Sequence, residues 1–202
     1  MASKIDVFNM ALGHIGVSST ISDEQERSPE RVACSRYWET CRDALLAYKS
    51  MPWSFANALE KLALVPGDPP AGWGFRYRYP NDCINAIEIY AESVRTTSVE
   101  LRSKYQVAYE ADGRVILCDI PEATLRYTKR INEVERWPAQ FVEAMSFRLA
   151  GMIVMGIKND AGVMGSMLQL AEQFAQIAMA ADFNEQQPDG PIPSIYEREM
   201  HA

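Results

Sequence analysis

The chain has 202 residues, with four cysteines, two histidines and 27 acids against 20 bases, a formal charge of −7. That length can bury a sizeable apolar core without disulfide or metal staples, and 48% hydrophobic against 23% charged residues excludes wholesale disorder. The acidic balance argues against wrapping nucleic acid on a broad basic surface.

Residues 4–15 read as a helix, because Ile5, Phe8, Leu12 and Ile15 share one face. Ser3 suits its N-cap, Asp6 favours its dipole, and Gly16 ends it. A polar connection over 17–27 leads to Ser28-Pro29-Glu30, a start signal with a capping serine and a proline at the first helical position. The second helix carries the apolar stripe Cys34, Trp38, Cys41, Leu45 and Tyr48, and is predicted to run to about Lys49.

The middle of the chain turns β-like. Pro66-Gly67-Asp68-Pro69-Pro70-Ala71-Gly72 is a rigid loop. Phe75-Arg76-Tyr77-Arg78-Tyr79 alternates aromatic and basic side chains with a period of two, a half-buried strand. Further strands are predicted over 84–90, 105–109, 114–118 and 124–128, with a hairpin turn at Ala111-Asp112-Gly113. Trp137-Pro138 opens a long helix that is apolar nearly all round, hence buried on more than one side. Another helix begins at Gly162, and its small residues, among them Ala171, Ala175 and Ala178, predict close contact between helices. The remainder is proline-rich and extended.

The expected class is therefore α+β. Residues 1–50 and 138–183 form a helical domain, 51–137 an antiparallel β-rich insertion, and 184–202 an extended tail. The three parts carry net charges of −1, −1 and −5 in chain order when the last is counted from 138, so the acidity belongs to the C-terminal third.

Chemistry is sparse. No secretory signal is expected, because no basic start leads into an apolar stretch. No membrane partner is expected either: the longest apolar run, 149–157, has nine residues, against about 20 for a spanning helix. Cys34 and Cys41 lie about 10 Å apart along a helix axis, too far for a disulfide, and all four cysteines read as reduced small hydrophobes. Histidines occur only at 14 and 201, so neither a metal nor a cofactor is expected, and His14 reads as a half-buried helix residue. Gly72-Trp73-Gly74 lacks the helix and lysine of a phosphate loop. Glu39 and Asp43 share a helix face and could in principle serve glycoside hydrolysis, but acids at this spacing usually form a solvated face.

Arg76 and Arg78 could interleave with aromatics as a stacking platform for single-stranded nucleic acid. The local net charge of −1 favours a different reading: the aromatics pack inward and the arginines face solvent or a neighbouring subunit's acids. Arg126, Lys129 and Arg130 could likewise meet an acidic partner. Trp53 and Phe55 sit where the second helix passes into the β region and read as a hinge in the core.

The segment Asp6-Val7-Phe8-Asn9-Met10-Ala11-Leu12-Gly13-His14-Ile15-Gly16 resembles the N-x-x-L-x-x-I-G start of tail tubular protein A, the adaptor or gatekeeper-ring family of short-tailed phages. The similarity continues through 33–46, through Trp53-Ser54-Phe55, a strand reaching Leu64-Val65-Pro66, Tyr79-Pro80-Asn81-Asp82 and Trp137-Pro138-Ala139-Gln140-Phe141, and covers most of 4–183. The resemblance implies a structural virion protein of the tail or neck, made in the host cytoplasm, and not an enzyme. It implies a homo-oligomeric ring, commonly twelve-fold, that binds the portal protein, the tail nozzle protein and a tail fibre or spike, with DNA only as cargo through the lumen. Interface candidates under that reading are Trp53, Phe55, Arg76 and Arg78, with Ile192, Ile195 and Tyr196 in the tail. The alternatives are a tail-associated cell-wall glycan hydrolase using Glu39 and Asp43, and a cytosolic binding module of the host.

Overall fold

The computed structural model describes residues 2–48, 53–91, 103–111 and 113–185. Helix α1 spans Lys4–His14 and opens on a capping box: the Asp6 amide donates to Ser3 Oγ at 3.1 Å, and the Ser3 amide donates to Asp6 Oδ2 at 2.8 Å. It closes on Gly16 at φ 68°, where the Gly16 amide reaches the Gly13 carbonyl and the Val17 amide the Leu12 carbonyl. That pair of bonds is a Schellman motif, and its left-handed position is why glycine stands there. Asn9 then folds the connection back, since its side-chain amide donates to the Ile21 carbonyl at 3.0 Å and accepts from the Ile21 amide at 2.8 Å.

Helix α2, Pro29–Leu46, is capped by Ser28 through the Arg31 amide at 3.3 Å. The predicted end at Lys49 lies outside the described residues. The Leu45 carbonyl accepts from the Trp53 indole at 3.0 Å, a tertiary bond in the last turn of the helix. Helices α3 (Ala139–Ile157) and α4 (Ala161–Glu185) form an antiparallel pair joined by three residues, with the Asp160 carboxylate accepting from the Val163 amide at 3.0 Å. Their approach is close: a Cβ on Gly151 would lie 2.8 Å from the Leu168 side chain. Ala171, Ala175 and Ala178 are buried along the same seam. α3 is long and apolar enough to cross a membrane by length and composition, yet it is the central helix of the core, packed against α1, α2 and α4.

The fold is α+β, with two three-stranded antiparallel sheets. In chain order the strands are β1 (Asn57–Lys61), β2 (Phe75–Arg78), β3 (Cys83–Ala91), β4 (Tyr105–Glu110), β5 (Gly113–Cys118) and β6 (Ala123–Lys129). One sheet has the order β1-β6-β3 and the other β2-β5-β4. β1 was absent from the periodicity reading because its side chains are mostly exposed and do not alternate. The resemblance implied a strand reaching Leu64-Val65-Pro66, and β1 does continue in that direction. The Leu62 amide still bonds to Ala123 of β6, whereas Ala63 and Val65 exchange bonds with Arg78 and Arg76 of β2, each at 2.8 Å. The chain thereby passes from one sheet to the other. At the opposite side the Tyr105 hydroxyl donates to the Ala86 carbonyl at 3.0 Å, so β4 closes against β3.

Two hydrophobic cores result. The β core gathers Tyr77, Tyr79, Ile89, Ile116, Leu125 and Tyr127 between the sheets. The helical core contains α1–α4 and also draws in Trp53, Ala56, Ile131, Val134 and Trp137 from the two chain segments that lead into and out of the strands.

Candidate functional site

The register of β2 on β5 pairs Arg76 with Leu117, Tyr77 with Ile116 and Arg78 with Val115. Side chains therefore alternate: Tyr77 and Ile116 enter the β core, while Arg76 and Arg78 lie on the opposite face. The 63–66 segment borders that face on one side and the β4–β5 hairpin on another. Between them lies a cleft of about 670 Å³ lined by Val65, Pro66, Arg76, Arg78, Arg114 and Glu110, among others. A smaller cleft of about 140 Å³ adjoins it and shares Arg78, Tyr79, Pro80 and Asn81.

The three arginines are held differently. Arg76 is the most enclosed, with its side chain 18% exposed, where the alternation had pointed it to solvent or to a neighbouring subunit. Its Nη1 donates to Glu110 at 3.1 Å and its Nη2 to the Pro66 carbonyl. Gly67 makes room for this: it sits at φ 97°, and a Cβ there would lie 3.0 Å from Arg76 Nη2. Arg76 Nε is buried with no partner. Arg114 lies over the ring of Tyr79 at 4.0 Å, a cation–π contact that leaves its N–H donors free. Burial pushes the Tyr79 phenol up, so it stays neutral. Arg78 is exposed, and among the described residues its side chain makes no ion pair or hydrogen bond. Among the described residues the lining thus carries three guanidiniums against one carboxylate, in a chain whose overall charge is −7. Guanidinium forks bind carboxylate or phosphate. Among the described residues the lining offers no serine, cysteine or histidine.

The other residues singled out from the sequence take different places. Trp53 is 1% exposed and belongs to the helical core, where Phe141 meets it edge-on at 5.0 Å. Its burial in the single chain accords with the reading of Trp53 as a hinge in the core. Phe55 is partly buried and also packs on Phe141 at 5.0 Å. Ile192, Ile195 and Tyr196 lie outside the described residues, as does Asp112 in the predicted hairpin turn. The bases expected to meet a partner's acids are paired within the chain. Arg126 meets Glu88 at 3.5 Å, Lys129 meets Asp82 at 3.2 Å, and Arg130 meets Asp43 at 3.0 Å.

Asp43 also accepts from Arg42 at 2.8 Å, so both its oxygens hold guanidinium donors. Glu39, its proposed companion, is exposed on α2. The pair therefore lacks a free second carboxylate. Arg42 is itself buried and donates to Asn132 at 2.7 Å, so this group ties α2 to the segment leaving β6. The end of α4 makes a second tie, because the buried Asp182 carboxylate accepts from the Ser54 amide at 2.9 Å and from its hydroxyl.

His14 is half-buried, stacked on Phe147 at 3.9 Å, with Nε2 at 2.9 Å from Ser146 Oγ. The Ser146 hydroxyl also lies 2.7 Å from the Glu143 carbonyl, so its one proton serves either that carbonyl or Nε2, according to the imidazole tautomer. Burial lowers the His14 pKa, with Glu143 opposing the effect. The four cysteines are free and buried, and burial pushes Cys34 up to about 12 and Cys41 and Cys83 up to about 11. Among the described residues no cluster of three or more histidines, cysteines or acids could hold a metal ion. Arg114 and Glu110 were not singled out from the sequence. The predicted hairpin contained the hint, since its turn brings both to one end of the β4–β5 pair, where Glu110 faces Gly113 and Tyr109 faces Arg114.

No protein-family model matches this chain, and no curated protein matches it.

Proposed function

We propose that this chain is a structural virion protein, an adaptor subunit that assembles as a ring beneath a portal and joins it to the tail nozzle and fibres. The observation that carries this reading is the order and spacing of the motifs that resemble the tail tubular protein A family over most of 4–183. Those motif residues sit where the fold is held together. Asn9 folds back the α1–α2 connection. Trp53, Phe55, Trp137 and Phe141 form one aromatic cluster at the joint between the two cores. The Tyr127 hydroxyl and the Arg130 amide both meet Asp82 beside that joint. The resemblance therefore bears on architecture, and through it on an assembling role. The occupied carboxylate of Asp43 weighs against the glycan-hydrolase alternative.

The test is direct. Purified chain is mixed with portal rings, and co-sedimentation and electron microscopy are used to look for a ring of subunits on the portal. Deletion of 184–202 is expected to weaken that association. A chain with no affinity for portal under any assembly condition refutes the proposal, and peptidoglycan digestion lost in Glu39→Gln would support the hydrolase instead.

A further inference from the structure

We propose that the arginine-lined cleft on the β2-β5-β4 sheet is the docking site for the chain's own acidic segment, 186–202. This inference stands apart from the adaptor reading, since it rests on charge, reach and donor accounting alone.

Charge comes first. The cleft lining holds Arg76, Arg78 and Arg114 against Glu110. The segment holds Asp189, Glu197 and Glu199 against Arg198. Among the described residues the lining is thus positive, and the segment that faces it is acidic, within a protein that is acidic elsewhere. A carboxylate satisfies guanidinium donors in a bidentate manner, and Arg78 and Arg114 have such donors unspent among the described residues. The cleft also has apolar borders, Val65 and Pro66, suited to the Ile192, Ile195 and Tyr196 side chains that lie next to the acids in sequence.

Reach comes second. Asp182 is bonded to Ser54, which fixes the end of α4 at the beginning of the β region. From Ser54 to Val65, at the edge of the cleft, is eleven residues, at most about 40 Å of chain. From Glu185 to Glu199 is fourteen residues, about 46–50 Å when extended. Glu197 and Glu199, twelve and fourteen residues past Glu185, therefore reach the cleft of their own chain, whereas Asp189 follows too soon after the helix for its reach to be set by this span.

The experiment uses the full chain. A nitroxide is placed on the segment through Tyr196→Cys; the four native thiols are buried and resist labelling. Paramagnetic broadening of backbone amide signals is then read in the isotope-labelled protein. The expected result is selective broadening at Val65, Arg78, Tyr79, Asn81 and 113–115, lost with Arg78→Glu/Arg114→Glu and lost again at high salt. A second variant, Asp189→Asn/Glu197→Gln/Glu199→Gln, leaves the folded body untouched and should also abolish it. Absence of broadening at the cleft, or broadening that survives either variant, overturns the proposal. So does broadening that arises only between an isotope-labelled chain and a separate spin-labelled chain, since the occupant is then a neighbour's segment.

Discussion

Trp53 meets Phe141 edge-on, with ring centroids 5.0 Å apart and planes at 89°. Phe141 in turn touches Phe55 and Trp137, and Trp137 stacks on Trp38 at 5.5 Å. One ring at the start of α3 thus holds the residues through which the chain enters and leaves the strands. Phe141→Ala removes a fully buried ring from this cluster, and is expected to cost about 3–5 kcal/mol of unfolding free energy. Urea titration followed by tryptophan emission checks this; a loss below about 1 kcal/mol would mean that the cluster does not hold the joint.

Gly151 on α3 faces Leu168 on α4 so closely that an added Cβ would lie 2.8 Å from the leucine side chain and 3.3 Å from its backbone nitrogen. Gly151→Ala should therefore destabilise by about 1–3 kcal/mol through overpacking, even though alanine is the better helix former. Thermal unfolding of the single variant and of Gly151→Ala with Leu168→Ala provides the check. Restored stability in the double variant identifies the clash; a more stable single variant contradicts it.

Asp43 takes Arg130 Nε at 3.1 Å and Nη2 at 3.0 Å while holding the buried Arg42 at 2.8 Å. Asp43→Asn leaves Arg42 without its counter-charge, and removing one partner of such a group costs about 2–4 kcal/mol. The larger consequence is cooperativity, since this group ties α2 to the segment leaving β6. Unfolding monitored separately by tryptophan emission and by tyrosine absorbance should give coincident transitions in the parent and split ones in Asp43→Asn. Coincident transitions in both would show that the aromatic cluster suffices.

His14 gives the fold a pH dependence with a defined sign. Burial lowers its pKa below 6.5, so the folded state binds its proton less readily than the unfolded chain. The contribution of the neutral imidazole is complete above 6.5 and is lost as the pH falls from there through the folded-state value. Stability should therefore decline between pH 7 and pH 5 more steeply in the parent than in His14→Gln. Parallel urea titrations at several pH values measure the difference, and equal slopes would remove His14 from the account.

The helices were legible in the sequence because their signals are local. Ser3 and Asp6, Ser28 and Pro29, and Gly16 each act within a few residues, and their bonds form whatever the rest of the chain does. The alternation at 75–79 was legible for the same reason, and it placed Tyr77 and Tyr79 inward as expected. β1 was not legible, since an exposed strand without alternation carries no period, and only its partner β6 makes it a strand.

What the sequence determined by itself, then, was the order and type of most elements, the inward faces of the helices, and the concentration of net negative charge in the C-terminal third, where bases are scarce. Tertiary structure decided the rest. It turned Arg76 from a solvent-facing cation into one enclosed by Glu110 and Pro66, neutralised Arg130 with an aspartate 87 positions away, and left Arg78 unpaired at the edge of a cleft. Charge partners across such separations depend on which strands pair and where loops return. Sequence spacing does not encode these closures, because their free energy comes from burying the two cores as wholes.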